Sequence, residues 1–210
     1  MNLFYEVLIN NKKESFPAII FLHGRGANEY DLLSLSDFLG NSFNYFSIRA
    51  PFPFDFGGYT WYEILDETGK PNEIQFEQSF HLLHKCIDEI KQKFSVGKII
   101  LFGFSMGTAI GFALSLSFQK NFFALIANSG YIPKLNFLKF QMDSLSQNEI
   151  HFFISHGIFD DVLPIKFGRE SKQILETYNA KVEYKEYNYS HQLSEESLLD
   201  IKNFLEQKIK

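Results

Sequence analysis

The sequence predicts an α/β fold: one mostly parallel sheet of about seven strands with helices on both faces. Three observations predict it. Seven short strand-like runs are spread along the 210 residues. After the first two, these runs alternate with helix-like segments, the order that builds a parallel sheet. Several are continuously apolar, as in strands covered on both faces. Residues 1–210 fit a single domain, large enough to bury a core, with no repeat, low-complexity segment or linker.

Phe4 to Ile9 reads as the first strand, followed by a polar turn at Asn10–Lys13. Pro17 to Leu22 is an apolar run of strand length, ending in His23-Gly24-Arg25-Gly26-Ala27-Asn28. Asn28 suits a helix cap, and Glu29 and Asp31 suit a first turn, so a helix is expected from Glu29 to about Leu39. Asn44 to Ile48 is a third strand. Residues 51–58 (PFPFDFGG) are expected to form an irregular loop rich in aromatics. Asn72 opens the longest helix, and Gln75 completes a capping-box-like pair. Phe76, Phe80, Leu83, Ile87, Ile90 and Phe94 then make one apolar stripe at helical spacing. His81 and His84 lie three apart on this helix and are assigned to a solvated face.

Lys98 to Phe102 reads as a buried strand and Thr108 to Leu114 as a helix. Between them lies Gly103-Phe104-Ser105-Met106-Gly107. Phe122 to Ala127 is the next strand, and residues 134–148 are irregular. Ile150 to Ser155 is another strand, and Pro164 suits the first turn of a helix reaching about Tyr178. Lys181 to Tyr187 alternates and reads as the last strand. Glu195 and Glu196 begin the last helix, which carries Leu198, Ile201, Phe204 and Leu205.

Composition narrows the chemistry. The net charge of −5 steers neither to nucleic acid nor to anionic lipid. Cys86 is the only cysteine, which rules out an intramolecular disulfide and a cysteine-based zinc site. No signal-peptide pattern opens the chain, and no apolar run approaches the ~20 residues of a membrane span. A cytoplasmic protein without cofactor or metal is expected, as monomer or homodimer. The 25 phenylalanines reflect residue usage for the most part. Phe52, Phe54, Phe56, Tyr59, Trp61 and Tyr62 of the 51–62 loop, together with Tyr131, Leu135, Phe137, Leu138, Phe140 and Met142, are nevertheless expected to wall a cleft.

G-x-S-x-G between a strand and a helix is the nucleophile elbow of the α/β-hydrolase fold. A sharp turn projects the serine, and the helix start offers N–H groups to an oxyanion. Ser105 needs a base, and in this fold the acid and then the histidine follow the serine in the chain. His23, His81 and His84 precede Ser105. His151 and His156 precede the strand-end acids. His191 remains, in the loop between the last strand and the last helix. Asp160 and Asp161 both qualify as the acid, with Asp143 a distant third. Met106 supplies one oxyanion N–H, and Arg25, in its Gly-flanked turn, is the best candidate for the second.

With these residues assembled, the chain resembles the carboxylesterase/phospholipase family that includes acyl-protein thioesterases and small bacterial carboxylesterases. The resemblance runs from about Ala18 to Leu205. It is carried by HGRGAN (23–28), the Trp61 loop, GFSMG (103–107), SGYIP (129–133), HGIFDDVLP (156–164) and YSH ending at His191. The family's H-G-x-x-D pattern implies Asp160 as the acid. Asp161 stands where the family often has proline. The resemblance implies a compact hydrolase without a large lid, acting on a small-molecule ester or thioester. On the same motifs, His23, Gly24, Trp61, Phe104, Tyr131 and Leu163 are expected to contact substrate. Lysophospholipid or acyl-protein substrates are alternatives, as is a non-catalytic ligand-binding protein of the same fold.

Overall fold

The computed structural model describes residues 2–209. Strands β1 (Tyr5–Leu8), β2 (Ala18–Leu22) and β3 (Asn44–Ile48) are followed by a separate two-residue ladder, β4 (Phe52–Pro53) with β5 (Tyr59–Thr60). Then come β6 (Ile99–Phe104), β7 (Ala124–Asn128), β8 (His151–Gly157) and β9 (Lys181–Tyr187). The main sheet has seven strands in the order β1-β3-β2-β6-β7-β8-β9. Only the β1–β3 pair is antiparallel. Every residue of β2, β3 and β7 is buried, whereas the edge strands β1 and β9 are largely half-buried or exposed.

Alternation along the strands divides the core in two. Ile20, Leu22, Phe46, Leu101 and Phe152 face one side. There they pack with α2 (Glu73–Lys93), α3 (Met106–Ser117) and Leu175 of α4 (Lys166–Thr177). Ile19, Phe21, Tyr45, Phe102 and Phe153 face the other. There they meet Leu39 of α1 (Ser36–Leu39) and Ile201, Phe204 and Leu205 of α5 (Glu195–Lys208). Helices on both faces and seven strands agree with the sequence reading, and each strand boundary moves by no more than two residues.

Three local expectations do not hold. No helix begins at Glu29: the chain turns there, passes through a 3₁₀ segment at Leu32–Leu35 and becomes α-helical only at Ser36. The Asn28 side chain accepts from the Tyr30 N–H two residues on, a turn contact rather than a cap. Glu29 is buried and paired with Arg49 instead of lying exposed in a first turn. At α2 the Asn72 cap is present, accepting from Gln75 N–H. The reciprocal half is absent, because Gln75 Oε1 accepts from Glu63 N–H at 2.7 Å. The 51–58 loop is also less irregular than expected, being closed by the β4–β5 ladder.

The elbow glycines do different work from each other. A Cβ on Gly103 would lie 2.6 Å from the Thr108 Cα, across the strand–helix turn. A Cβ on Gly107 would instead collide with the carbonyl of Leu22 at the end of β2. So α3 rests directly on the neighbouring strand's backbone, where no side chain can yield. Gly107→Ala is expected to destabilise the fold by more than ~3 kcal/mol, the range of severe overpacking. Gly111→Ala, whose Cβ meets the side-chain tips of Leu125 at 3.0 Å and Leu22 at 3.5 Å and no backbone, should stay within ~1 kcal/mol of the parent because helix propensity offsets the contact. Urea unfolding of the two variants tests the ranking.

Candidate active site

Ser105 joins β6 to α3 with φ 55° and ψ −116°, a conformation costing a non-glycine residue ~1–3 kcal/mol. Its surroundings leave it no other. The Ser105 N–H donates to Asn128 O at 2.9 Å, and its carbonyl accepts from Thr108 and Ala109 N–H at 3.0 and 3.3 Å. A Cβ on Gly130 would sit 3.0 Å from that carbonyl oxygen, so the loop after β7 also lies against the turn. Asn128, at the end of β7, ties that strand to both of its neighbours, β6 and β8. Its amide donates to Gly103 O at 3.0 Å, and its side-chain oxygen accepts from Ser155 Oγ at 2.5 Å. The sequence reading passed over Asn128. A polar residue closing the run Ala-Leu-Ile-Ala was the available signal.

From the far side of the sheet edge, the loop after β9 delivers His191. Its Nε2 lies 2.9 Å from Ser105 Oγ and its Nδ1 lies 2.7 Å from Asp160 Oδ2. With Nδ1–H donating to the carboxylate, Nε2 is left to accept the serine proton. Asp160 is buried, and its Oδ1 accepts from Val162 and Leu163 N–H at 3.0 and 2.7 Å. Both carboxylate oxygens are thus occupied, one by His191 and the other by two backbone N–H groups. Asp161 turns outward. Its Oδ1 accepts from Ser190 Oγ at 3.0 Å, so it touches the residue before His191 rather than His191 itself. A second histidine, His156, is fully buried beside Asp160. Its Nε2 lies 2.7 Å from Leu163 O and 3.3 Å from Asp160 Oδ2, and burial lowers its pKa.

Ser105 opens into a cavity of about 530 Å³ that is also lined by Arg25 and Met106. Met106 N–H is the first of α3, with no partner inside the helix. Among the described residues the Arg25 N–H donates to no other backbone group. The Arg25 guanidinium stacks on Phe54 at 4.5 Å. Such a constellation can transfer an acyl group: serine as nucleophile, histidine as base, carboxylate as orienter, and paired N–H groups for a developing oxyanion.

The model of the phospholipase/carboxylesterase family matches residues 4–209. The chain belongs to this family. Among its relatives are acyl-protein thioesterase 1 of Candida albicans, 28% identical with 93% of each chain covered, and acyl-protein thioesterase 1 of Debaryomyces hansenii, 29% identical with 94% of each covered. The crystal structure of the Bacillus cereus carboxylesterase superposes with a TM-score of 0.85 at 22% identity, covering 98% of this chain and 94% of that one. That structural likeness speaks for the α/β-hydrolase fold. No helix among the described residues is long and apolar enough to cross a membrane. Nor does any group of three or more His, Cys, Asp or Glu among them suit a metal ion.

Within this family frame, the six expected substrate contacts divide. Tyr131 and Leu163 line the cavity; His23, Gly24, Trp61 and Phe104 do not. His23 is buried, its Nδ1–H donating to Gly24 O at 2.7 Å and its Nε2 accepting from Ala50 N–H at 3.0 Å, and burial lowers its pKa. Trp61, also buried, donates from Nε1 to His23 O at 2.9 Å. These two brace the Arg25 turn from beneath. Phe104 packs its ring 5.0 Å from the His191 ring, and a Cβ on Gly24 would meet Phe104 at 3.2 Å. The expected aromatic walls are thinner than supposed. From the 51–62 loop only Tyr62 reaches the cavity, and from 131–142 only Tyr131, Leu135 and the intervening Pro133 and Lys134. Phe56 is exposed, and Phe137 packs on Phe76 and Phe80. In their place stand Ile64 and Pro71 of a turn closed by their own bridge, and Val162, Leu163, Pro164 and Phe167.

Beside the Arg25 turn, Arg49 donates from Nε to Glu29 Oε2 at 2.6 Å, with its Nη2 on Oε1, and lies between the rings of Phe4 and Tyr59. The Arg49 hydrogen bonds hold the Glu29 carboxyl below the ordinary value of 4.5. A depressed folded pKa gives stability that is complete above the ordinary value and lost as the pH falls through the folded one. Wild type should therefore lose more stability on acidification below 4.5 than Glu29→Gln does, which thermal melts across that range will measure.

Proposed function

We propose that the protein is a serine hydrolase that cleaves carboxylic esters of short to medium acyl chain through an acyl-enzyme. Ser105 Oγ attacks the acyl carbonyl while His191 Nε2 takes its proton. The N–H groups of Arg25 and Met106 receive the oxyanion. His191 returns the proton to the leaving alcohol, and water, activated by the same imidazole, releases the acid. Asp160 keeps His191 in the Nδ1–H tautomer and stabilises its charged form. The observation that carries this reading is the unbroken chain Ser105 Oγ–His191–Asp160, with contacts of 2.9 and 2.7 Å, opening at its serine end into the cavity. Thioesters are the second reading, favoured by the relatives named acyl-protein thioesterase 1. The same site would serve them, with a thiol leaving. A single cysteine, buried and free, suits the reducing cytoplasm, and the proposed enzyme acts there as a monomer or homodimer.

Ser105→Ala should reduce hydrolysis of a p-nitrophenyl ester below ~1% of wild type, since losing such a nucleophile costs up to ~10⁶ in kcat. Asp160→Asn should cost about 10³–10⁴ through the wrong tautomer. Asp161→Asn, which loosens only Ser190, should cost far less. Steady-state kinetics of the three variants decide the roles, and a larger loss in Asp161→Asn than in Asp160→Asn would reverse the assignment of the acid.

The cavity bounds the acyl group. Its apolar lining should favour added methylenes, each buried CH₂ contributing ~0.8 kcal/mol, or roughly fourfold. On a p-nitrophenyl series from two to twelve carbons, kcat/KM is expected to rise from acetyl to butyryl or hexanoyl and then level off as the chain leaves the cavity. A flat or falling profile from acetyl onward would show that the acyl chain does not bind there.

A further inference from the structure

One pair of polar atoms in the cavity wall is not accounted for by acyl transfer or by packing. Tyr62 Oη and Tyr131 Oη lie 3.0 Å apart, and both residues line the cavity that holds Ser105. Burial raises the pKa of both phenols, so each keeps its proton. Two hydroxyl hydrogens therefore share one contact, and among the described residues neither hydroxyl has a further hydrogen-bond partner. One O–H must be left over.

Burial decides which one. Tyr62 is fully buried, at 0% exposure, and Tyr131 is half-buried. An unpaired buried donor costs ~1–3 kcal/mol. If Tyr131 donated to Tyr62, the Tyr62 hydrogen would be stranded in the core. If Tyr62 donates to Tyr131, every buried hydrogen is paired, and the free hydrogen is on the residue that meets solvent. Its position favours the cavity over the smaller groove that Tyr131 also borders, because Tyr62, to which the hydroxyl is tethered, lines the cavity and not that groove. The position is also firm. Tyr131 follows Gly130, which abuts the Ser105 carbonyl, and its ring packs 5.8 Å from Phe167.

We propose that Tyr131 is a specificity-determining residue whose hydroxyl donates a hydrogen bond to an oxygen in the cavity-bound portion of the substrate. The preferred substrates are then esters or thioesters whose acyl part carries a keto, ether or hydroxyl oxygen, not plain alkanoates. This rests on the Ser105-centred reading of the cavity. A donor that is left without its acceptor selects against a plain chain of the same size, since binding that chain strips water from Tyr131 and returns nothing.

The test compares p-nitrophenyl hexanoate with its 4-oxo and 5-oxo analogues in wild type, Tyr131→Phe and Tyr62→Phe. The expected result is that the wild-type preference for one oxo ester over hexanoate, as kcat/KM, falls about tenfold in Tyr131→Phe, the size of one hydrogen bond. The change should lie in KM rather than kcat. Tyr62→Phe, which keeps the Tyr131 donor, should retain most of the preference. A preference unchanged in Tyr131→Phe, or one lost in Tyr62→Phe alone, overturns the assignment. Calorimetric binding of the matching methyl esters to Ser105→Ala separates this from the hydrolytic reading. Absence of turnover in wild type, or turnover retained in Ser105→Ala, with the oxo preference in binding intact overturns only the esterase mechanism. Equal binding of oxo and plain esters to Ser105→Ala itself, or an oxo preference in binding that adding Tyr131→Phe leaves unchanged, overturns the role of Tyr131.

Discussion

The structure depends on one backbone-to-backbone contact, that of Gly107 in α3 with the end of β2. It brings the start of a helix to within touching distance of the neighbouring strand's last carbonyls, those of Leu22 and His23. Two elements far apart in sequence are thereby fused: the turn that projects Ser105 and the Gly-flanked turn that carries Arg25. An oxyanion site made from two loops works only if their separation is fixed to a fraction of an ångström. Side-chain packing alone would leave it softer, because side chains change rotamer and backbones in contact do not. The strain at Ser105 follows from the same contact. With α3 seated on β2 and Asn128 holding the adjacent strands, the residue between β6 and α3 has no relaxed path to take.

Around that contact, buried polar groups set the shape of the end of the sheet that carries Ser105. Glu29 and Arg49 form an ion pair with the carboxylate wholly buried and the guanidinium partly exposed between two rings. Such a pair contributes little net stability, because desolvation offsets most of the attraction. Its effect is on geometry: it fastens the segment after the Arg25 turn to the end of β3. His23 and Trp61 act likewise, one hydrogen-bonded to Gly24 and Ala50, the other to His23. They carry residue types common at substrate sites, yet each donor and acceptor they own near the cavity is already used inside the protein.

How much of this was legible in the sequence depends on how local the cause was. The strands were legible because a run such as Ala18–Leu22, buried on both faces, must be apolar throughout. Ser105 and His191 could be singled out because the elbow has a steric signature and chain order leaves one histidine, and in the structure His191 lies between Ser105 and Asp160. Between Asp160 and Asp161 the residues themselves left the choice open, and only the resemblance to the family's H-G-x-x-D pattern pointed to Asp160. The choice turns on which carboxylate receives the Val162 and Leu163 amides, a fact of loop geometry. Glu29 misled for the opposite reason. Its local context favours a helix start, but its partner, Arg49, lies twenty residues on, and the tertiary ion pair overrides the local preference. The aromatic loops misled because a phenylalanine reads the same whether it walls a cavity or packs a loop onto the sheet, as Phe137 does.

Two histidines flank one carboxylate, and their surroundings explain why only one suits the role of base. His156 and His191 both place a ring nitrogen near Asp160 Oδ2, at 3.3 and 2.7 Å. The His156 Nε2 faces two oxygens, those of Leu163 and Asp160, so its proton resides there. Its Nδ1 is unpaired and pressed against Gly168, where no Cβ would fit. That nitrogen can reach neither solvent nor Ser105, and burial lowers the pKa of the ring, which stays neutral. A neutral ring in that place stiffens the loop from residue 156 to 163 without competing for the negative charge of Asp160. His191 has the opposite circumstances. Its second nitrogen points at Ser105 Oγ, and its side chain keeps 14% of its surface exposed. It can therefore gain a proton during the proposed reaction with the carboxylate behind it and pass that proton on. The carboxylate is left to one histidine as its partner because the other holds its Nε2 against Leu163 O and buries its Nδ1 against Gly168.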